Sequence, residues 1–164
     1  MRLGDFELYK DLIKDKSGIS LTPDKSYLLD SRLTPVAKKW NFETIDAMTM
    51  SLRALPDPKL VKEIVQAMTT NETSFFRDDR PFQTLKNLLF PYLFKARKKT
   101  KSIRLWSAAC SAGQEPYTIA MVFDELLAAN PGWKLDVIAT DLADHVLDYA
   151  RAGVYSQFEV QRGL

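Results

Sequence analysis

Side chains that commonly carry metal-binding or nucleophilic chemistry are scarce in this sequence. Its 164 residues include one cysteine, Cys110, and one histidine, His145. A single cysteine cannot form an internal disulfide, and it fits a reducing compartment. Because there is no histidine cluster and the carboxylates are scattered along the chain, we expect no metal site.

Long apolar runs are also lacking, although 46% of the residues are hydrophobic. The chain can therefore bury the core of one or two small domains, but no run is long enough to span a membrane. We accordingly predict a cytoplasmic protein without membrane insertion. The formal net charge is only +2, yet residues 1–104 are net basic and the remainder is net acidic. This asymmetry predicts two units, the first of them suited to an acidic protein or to nucleic acid.

Residues 1–70 predict a helical bundle. Apolar residues recur at helical spacing in successive segments, and Gly18, Thr22-Pro23 and Asp57-Pro58 mark helix boundaries. Pro35 lies within the second helix and is expected to kink or split it. Three basic residues at heptad spacing line one face of that helix: Lys25, Arg32 and Lys39. Before any family argument, a solvated helix face is the simplest interpretation of this basic stripe.

Residues 69–79 interrupt the helical pattern with the sequence Thr-Thr-Asn-Glu-Thr-Ser-Phe-Phe-Arg-Asp-Asp. Purely connecting loops rarely need two adjacent aromatic residues, so we expect Phe75 and Phe76 to be buried where the two halves of the chain meet. A further helix follows, and Pro91 is expected to interrupt its end. The basic run over residues 95–104 then leads to the first strand as a solvated connector.

The most informative stretch is a turn rich in small residues, Ser-Ala-Ala-Cys-Ser-Ala-Gly-Gln-Glu-Pro-Tyr at 107–117. A β-type run at 102–106 precedes it, and a helical pattern at 118–129 follows it. Small side chains let a ligand approach the backbone, and Gly113 takes φ > 0 without strain. Free N–H groups at the start of a helix favour negatively charged or electron-rich ligand groups. The pattern is typical of a nucleotide-binding βαβ unit, and the alternative is a tight turn in any α/β protein.

A second strand, residues 133–141, ends in the acidic residue Asp141. In a nucleotide-binding βαβ unit, an acidic residue at this point holds the ribose hydroxyls of a nucleoside. The turn and Asp141 together therefore favour nucleoside binding more strongly than the turn does alone. A last helix, residues 142–152, ends at Gly153 and carries His145 without an evident chemical role.

Three segments, in this order, resemble the chemotaxis receptor methyltransferases of the CheR family. They are residues 69–78 with Phe-Phe-Arg, residues 105–117 with Gly-Gln-Glu-Pro-Tyr, and Ala-Thr-Asp at 139–141. The tail, with Ala-Arg-Ala-Gly-Val-Tyr at 150–155 and Arg-Gly-Leu at 162–164, looks like the same family. The family turn often reads Ser-Thr-Gly-Glu-Glu, whereas this chain has Ala112 and Gln114 in place of the threonine and the first glutamate.

The resemblance implies an α + α/β fold. An N-terminal helical bundle would precede the first part of a Rossmann-like methyltransferase domain that depends on S-adenosylmethionine (SAM). The implied domains are an all-helical CheR domain over residues 1–70, a linker and helix over 71–101, and an incomplete SAM-binding domain over 102–164. The implied reaction is methyl transfer from SAM to glutamate side chains on the cytoplasmic helices of bacterial chemoreceptors, with S-adenosylhomocysteine as product.

The resemblance also implies roles for individual residues. Arg77 is the candidate catalytic residue. It would anchor a carboxylate, and the first candidate is the carboxylate of the cofactor. The alternative is an ion pair of Arg77 with one of three nearby carboxylates, those of Glu72, Asp78 and Asp79. The residues expected at the cofactor are Asn71, Thr73, Arg77, Ala109, Gly113, Glu115 and Asp141. Within that set, Glu115 would lie by the methionine part and Asp141 by the ribose. The candidate surface for receptor helices is the basic stripe of Lys25, Arg32 and Lys39.

Family members continue well beyond the length of this chain. Because a sheet of two parallel strands rarely stands alone, we expect this chain to be part of a longer or exchanged assembly and inactive by itself. The free edge of its second strand is expected to cause self-association, or else the second half is expected to be poorly ordered.

Two other functions stay open at this point. The basic run before the first strand would suit a nucleic-acid methyltransferase, and the salt dependence of RNA binding would distinguish it. The short chain would suit a non-catalytic binding or assembly module, and turnover of labelled cofactor on a receptor would distinguish that. We predict chemoreceptors, and not nucleic acid, as the partners.

Overall fold

The computed structural model describes residues 3–163. Its contacts divide the chain into two compact units, Met1–Thr70 and Asn71–Leu164. The described part of the first unit is helical throughout, and the second unit combines helices with two parallel strands. The predicted α + α/β fold class is therefore confirmed. Between residues 3 and 163, no helix has both the length and the apolar character needed to cross a bilayer.

The helices of the first unit follow the predicted boundaries at Gly18 and Asp57-Pro58, whereas the second helix, predicted to start at Thr22-Pro23, begins only at Ser26. They are α1 (Leu3–Ser17), α2 (Ser26–Lys39), α3 (Ile45–Ala54) and α4 (Pro58–Met68), with a 3₁₀ turn at Pro23–Lys25. Gly18 follows α1 with φ of 74°, and the Asp57 side chain caps α4 by accepting the N–H of Lys59. Pro35 lies inside α2 without splitting it. A proline removes one helical hydrogen bond, and buried Leu33 and Val36 on either side hold the helix in place.

Apolar side chains from all four of these helices form one core. Its buried members are Phe6, Tyr9, Ile13, Leu21, Leu29, Leu33, Val36, Ala37, Met48, Leu52, Leu60, Ile64 and Met68. The two hydroxyls within this region, of Tyr9 and Thr49, form a hydrogen bond of 2.9 Å. Because buried polar groups cost free energy only when unpaired, this pair leaves the core satisfied.

The second unit places its helices around a short sheet. Its elements are α5 (Arg80–Thr84), α6 (Phe90–Ala96), β1 (Ser102–Ala108), α7 (Gln114–Leu127), β2 (Lys134–Thr140), α8 (Asp144–Ala152) and α9 (Gln157–Gln161). A π-helical turn, Leu85–Leu89, joins α5 to α6. The interruption predicted at Pro91 therefore takes the form of a wide turn just before it. Such a turn accommodates the proline ring, which would otherwise clash with the carbonyl four residues earlier.

The two strands pair in parallel, from Ser102 opposite Lys134 to Ala108 opposite Thr140. One face of this sheet packs into an aromatic-rich core that includes Phe90, Ile103, Phe123 and Trp133. The other face is exposed, with Trp106 70% and Ile138 45% accessible. The sheet is therefore covered on one side within the described residues.

Phe75 and Phe76 lie in the segment that opens the second unit. Phe75 is buried and Phe76 is half-buried, so the predicted burial is confirmed for the first ring and partial for the second. Their ring partners, Tyr155 and Phe82 respectively, both belong to the second unit.

Candidate functional site

The central turn, residues 109–113, connects β1 to α7 and has an unusual backbone. Ala109, Ser111 and Gly113 have φ of 61°, 49° and 97°. Residues other than glycine adopt positive φ at a cost of about 1–3 kcal/mol each, so other contacts must stabilise the turn. The sequence identified only Gly113 as a positive-φ position, because nothing in the pattern marks an alanine or a serine for this conformation.

Gly113 is required for packing as well as for its φ. A Cβ built at this position would lie 2.8 Å from the Tyr155 hydroxyl and 2.9 Å from the Cβ of Ala150. The absent side chain therefore lets the turn approach α8 and the segment after it. The sequence predicts that the small residues of this turn allow the close approach of a ligand, whereas Gly113 is small because protein atoms pack against it. Exposed Ala109 is better placed than buried Gly113 for contact with a ligand.

Asp141 fastens the central turn to the end of β2. Its Oδ2 accepts the Ser111 N–H at 2.8 Å, and its Oδ1 accepts the Ala143 N–H at 2.9 Å. The Cys110 N–H donates to the Thr140 carbonyl at 2.9 Å. Each carboxylate oxygen has a second lone pair, so Asp141 can still accept from a ligand. The sequence predicted where Asp141 lies but not that its side chain holds the turn.

Glu115 is exposed in the first turn of α7. The buried Ser107, near the end of β1, donates its hydroxyl to Glu115 Oε1 at 2.7 Å. A carboxylate in this position is stabilised by the helix dipole. Ser107 thus orients the Glu115 carboxylate, which is predicted to bind the cofactor. The sequence did not reveal this role of Ser107.

Residues 71–79 form a linker loop that is bonded to the turn and to α7. The Ser111 hydroxyl donates to the Asn71 carbonyl at 2.6 Å, and the Phe76 N–H donates to the Thr118 hydroxyl at 3.2 Å. Asn71 and Thr73 are both half-buried. Of the predicted loop residues, the structure therefore brings the backbone of Asn71 directly to the turn, and Thr73 lies two residues further along the same loop.

Arg77 is exposed, and its Nη1 donates to the Glu72 carbonyl at 2.6 Å. The Glu72 carboxylate instead pairs with Arg162 at 2.8 Å, and this hydrogen bond lowers the pKa of the Glu72 carboxyl. A guanidinium has five N–H donors. Most of the hydrogen-bonding capacity of Arg77 is therefore available to a ligand carboxylate.

Gln114 is only 3% exposed at the first position of α7. Among the described residues, its Oε1 has no hydrogen-bond partner. A buried acceptor without a partner costs about 1–3 kcal/mol, so a ligand donor at this point would remove a real penalty. The sequence singled out Gln114 only as a departure from the family turn.

The basic stripe is partly engaged in contacts within the first unit. Arg32 donates to the carbonyls of Met68 and Thr69 at 2.8 and 3.1 Å, at the end of α4. Lys39 forms an ion pair with Glu63 at 2.6 Å. Lys25 is exposed at the end of the 3₁₀ turn.

The central turn also contains the single cysteine of the sequence, Cys110. Burial, and then the negative charge of Asp141, raise the pKa of the Cys110 thiol, so it stays protonated. No cluster of three or more metal-ligating side chains occurs between residues 3 and 163. The turn and the loop bonded to it offer two carboxylates, a buried amide oxygen and a guanidinium. This donor set suits a ligand that carries cationic, hydroxyl and carboxylate groups together.

Comparison with known proteins assigns both units. Residues 4–69 match the family model "CheR methyltransferase, all-alpha domain", and residues 71–163 match "CheR methyltransferase, SAM binding domain". The chain is 37% identical over 163 residues to Chemotaxis protein methyltransferase Cher2 of Pseudomonas putida, covering 98% of this chain and 59% of the relative. It is 38% identical, with the same coverage, to Chemotaxis protein methyltransferase 1 of Pseudomonas aeruginosa. A chemotaxis protein methyltransferase of Vibrio parahaemolyticus is 36% identical over 162 residues. The chain thus spans about three-fifths of the length of these relatives.

Proposed function

The chain belongs to the CheR methyltransferase family, and we propose that its second unit binds SAM on the central turn for the methylation of glutamate side chains on chemoreceptors. The matched domain is a SAM-binding domain, so SAM is its cofactor. The observation that carries the proposal is the strained turn, fastened by Asp141 to the neighbouring strand.

The residues present fit the chemistry of SAM. When bound, SAM supplies a methyl group made electrophilic by the sulfonium. The carboxylate of Glu115 suits the ammonium of the methionine part, and the free lone pairs of Asp141 suit the ribose hydroxyls. The free donors of Arg77 suit the methionine carboxylate. Four further residues complete the proposed site through backbone or small polar contacts with the cofactor: Asn71, Thr73, Ala109 and Gly113.

Methylation of a carboxylate requires little acid–base catalysis from the protein. A glutamate is already ionised at neutral pH, so the chain has to align the reacting groups and exclude water. The raised pKa of the Cys110 thiol, which keeps it protonated at neutral pH, agrees with this requirement. We propose Arg77 as the catalytic residue in the sense that it touches the cofactor and fixes its orientation.

The basic stripe is the proposed docking surface for the acidic, cytoplasmic helices of a chemoreceptor. Lys25 is exposed, and Lys39 keeps 70% of its side chain accessible despite its ion pair. Arg32 contributes charge from a fixed position, because its guanidinium is bonded to the end of α4. We propose a cytoplasmic site of action and no nucleic-acid substrate. In support, Lys101 and Arg104 of the basic run are engaged by the Pro131 carbonyl and the Asp136 carboxylate.

We also propose that these 164 residues alone do not complete the reaction. The observed sheet has two strands, and its exposed face carries Trp106 and Ile138. Exposed apolar groups and strand edges recruit other chains, so self-association is expected. Light scattering and a methylation assay on the purified chain test this together, and a monomer that methylates receptor efficiently would contradict it.

The cofactor site is tested by calorimetric titration of SAM into the wild-type chain and into Glu115→Gln. Glutamine keeps an oxygen for the Ser107 hydroxyl but removes the charge, so binding should weaken by about 1.5–3 kcal/mol, the range for hydrogen bonds to charged groups. Glu125→Gln is the matched control, since Glu125 lies on the same helix and pairs with Lys86 on the surface. Equal affinities for all three proteins would refute the assignment of Glu115.

A further inference from the structure

We propose that Tyr155 is a positioning residue that holds the central turn in its ligand-binding conformation. The Tyr155 hydroxyl donates to the Ala112 carbonyl at 2.7 Å, across 43 residues of sequence. The inference rests on the proposed function, because it concerns the same turn, but its first test does not depend on a ligand.

The hydroxyl of Tyr155 binds the turn between two residues with positive φ. Ala112 lies between Ser111 and Gly113, both of which have positive φ. The N–H groups of Cys110 and Ser111 are held by Thr140 and Asp141 at the end of β2. Tyr155 supplies the complementary restraint, a donor for a carbonyl of the same turn. The turn is thereby bonded through its N–H groups to the strand and through a carbonyl to the segment after α8.

The position of the Tyr155 ring is itself determined by packing. Its centroid lies 4.9 Å from Phe75, 5.8 Å from Tyr117 and 5.7 Å from Tyr149, each in an edge-to-face arrangement. Such aromatic pairs have a preferred geometry, so the ring cannot rotate away without losing several contacts. Because Phe75 belongs to the linker loop, one side chain contacts both the loop and the turn that we propose to hold the cofactor.

The segment that follows Tyr155 reinforces this arrangement. Arg162 pairs with Glu72 at 2.8 Å, and a Cβ built on Gly163 would come within 2.0 Å of the Phe75 carbonyl. Residues 153–163 therefore pack closely on the linker loop at two further points. A site fixed in this way before the ligand arrives does not have to be ordered on binding.

The Tyr155 hydroxyl is a reliable donor. Burial, and then its neighbouring tyrosines, raise the pKa of Tyr155 to about 12. The hydroxyl therefore keeps its proton throughout the physiological range, and the restraint on Ala112 does not vary with pH there.

The first experiment is hydrogen–deuterium exchange on the full chain as wild type, Tyr155→Phe and Tyr149→Phe. Phenylalanine keeps the ring contacts and removes only the hydroxyl. Tyr149→Phe is the matched control, because the Tyr149 ring packs against Tyr155 but its hydroxyl donates to the Glu159 carboxylate and not to the turn. We expect the amides of Ser111 and Gly113 to exchange roughly threefold to tenfold faster in Tyr155→Phe, corresponding to one lost hydrogen bond. We expect no change at these amides in Tyr149→Phe, and no change at Val122 and Phe123 in either variant.

The result that overturns the proposal is unchanged exchange of the turn in Tyr155→Phe, or an equal change in both variants. Faster exchange throughout the second unit would also overturn it, because Tyr155 would then be an ordinary stabilising residue. Titration with SAM follows as a separate readout, and Tyr155→Phe should bind SAM more weakly than the wild type, whereas Tyr149→Phe should bind it with unchanged affinity. If the wild-type chain binds no SAM, the proposed function fails, while the exchange data still decide the role of Tyr155.

Discussion

The two units of this chain bury their apolar side chains to different extents. In the first unit, all four described helices contribute to one core that includes fully buried Leu29, Leu33 and Ile64. In the second, a two-stranded parallel sheet is packed on one face, whereas the other face leaves Trp106 and Ile138 exposed. Parallel sheets are usually covered on both faces. The first unit is therefore organised for stability, and the second leaves both surface and hydrogen-bonding capacity unused.

The unused capacity of the second unit is concentrated where its strands end. The strained turn, the free lone pairs of Asp141 and the unpaired Oε1 of Gln114 all occur there. In the first unit, by contrast, the buried hydroxyls of Tyr9 and Thr49 are paired with each other. Since unsatisfied and strained groups cluster at binding sites, this contrast favours the second unit as the location of the proposed cofactor site.

The largest effect should come from the closed core of the first unit. Leu33→Ala removes a side chain with no exposed surface and should lower the free energy of unfolding by about 2–5 kcal/mol, as expected for a large-to-small change in a packed core. Urea unfolding followed by circular dichroism measures this. Leu55→Ala is the control, because Leu55 is 80% exposed, and it should change stability by about 0.5 kcal/mol or less. A small effect of Leu33→Ala would contradict the closed core.

The next effect should come from Asp141, which we expect to be needed for the turn as well as for the cofactor. Asp141→Ala should weaken SAM binding by about 1.5–3 kcal/mol, the range for a hydrogen bond to a charged group. It should also accelerate amide exchange at Ser111 and Ala143, whose N–H groups it accepts. Asp136→Ala, on the strand that precedes Asp141, is the control, since its partner Arg104 is exposed and surface pairs contribute about 0–1 kcal/mol. Unchanged SAM affinity in Asp141→Ala would remove Asp141 from the site.

A smaller effect should separate the members of the basic stripe. Arg32→Gln removes donors from the carbonyls at the end of α4 and should cost about 1 kcal/mol of stability, a typical net value for a hydrogen bond. Lys25→Gln should leave stability unchanged. Both substitutions should slow receptor methylation at low salt in the complete enzyme, because docking on an acidic helix is electrostatic. Normal methylation by the Lys25 variant at low salt would make the stripe a solvated face.

The smallest effect concerns alkaline pH. The pKa of Tyr155 is raised to about 12 in the folded chain, first by burial, whereas an unfolded tyrosine titrates near 10. The stability that this shift contributes is fully present below about pH 10 and is lost as the pH rises from there to about 12. Urea midpoints at both ends of this window should therefore fall more for the wild type than for Tyr155→Phe. Parallel losses in the two proteins would contradict the shift.

Local sequence signals predicted the elements well because those signals act over short distances. Gly18, Asp57 and the small residues before α7 mark the observed boundaries, and Asp141 lies at the end of β2 as expected. The positive φ of Ala109 and Ser111 left no such signal. Their conformations depend on hydrogen bonds with Thr140, Asp141 and Tyr155, which are distant in sequence.

The roles that were missed share this cause. Arg32 bonds to residues 36 and 37 positions away, and Tyr155 bonds to one 43 positions away. No periodic pattern encodes such pairs, so the sequence indicates Arg32 only as a member of the basic stripe and Tyr155 only as part of a family segment. The effect of the two prolines also depends on their surroundings, because Pro35 does not split its helix, whereas the interruption expected at Pro91 takes the form of a π-helical turn. Packing around the first and a wide turn before the second compensate for the lost hydrogen bonds.

An NMR titration of the full chain with S-adenosylhomocysteine is the direct test of the proposed SAM site on the central turn of the second unit. Chemical shifts detect binding even at millimolar dissociation constants, which suits a site on a sheet with one open face. We expect the largest backbone shift changes at residues 109–115, at residues 71–77 and around Asp141, with the helices of the first unit unaffected. No saturable change at millimolar ligand, or changes centred outside these segments, would contradict it.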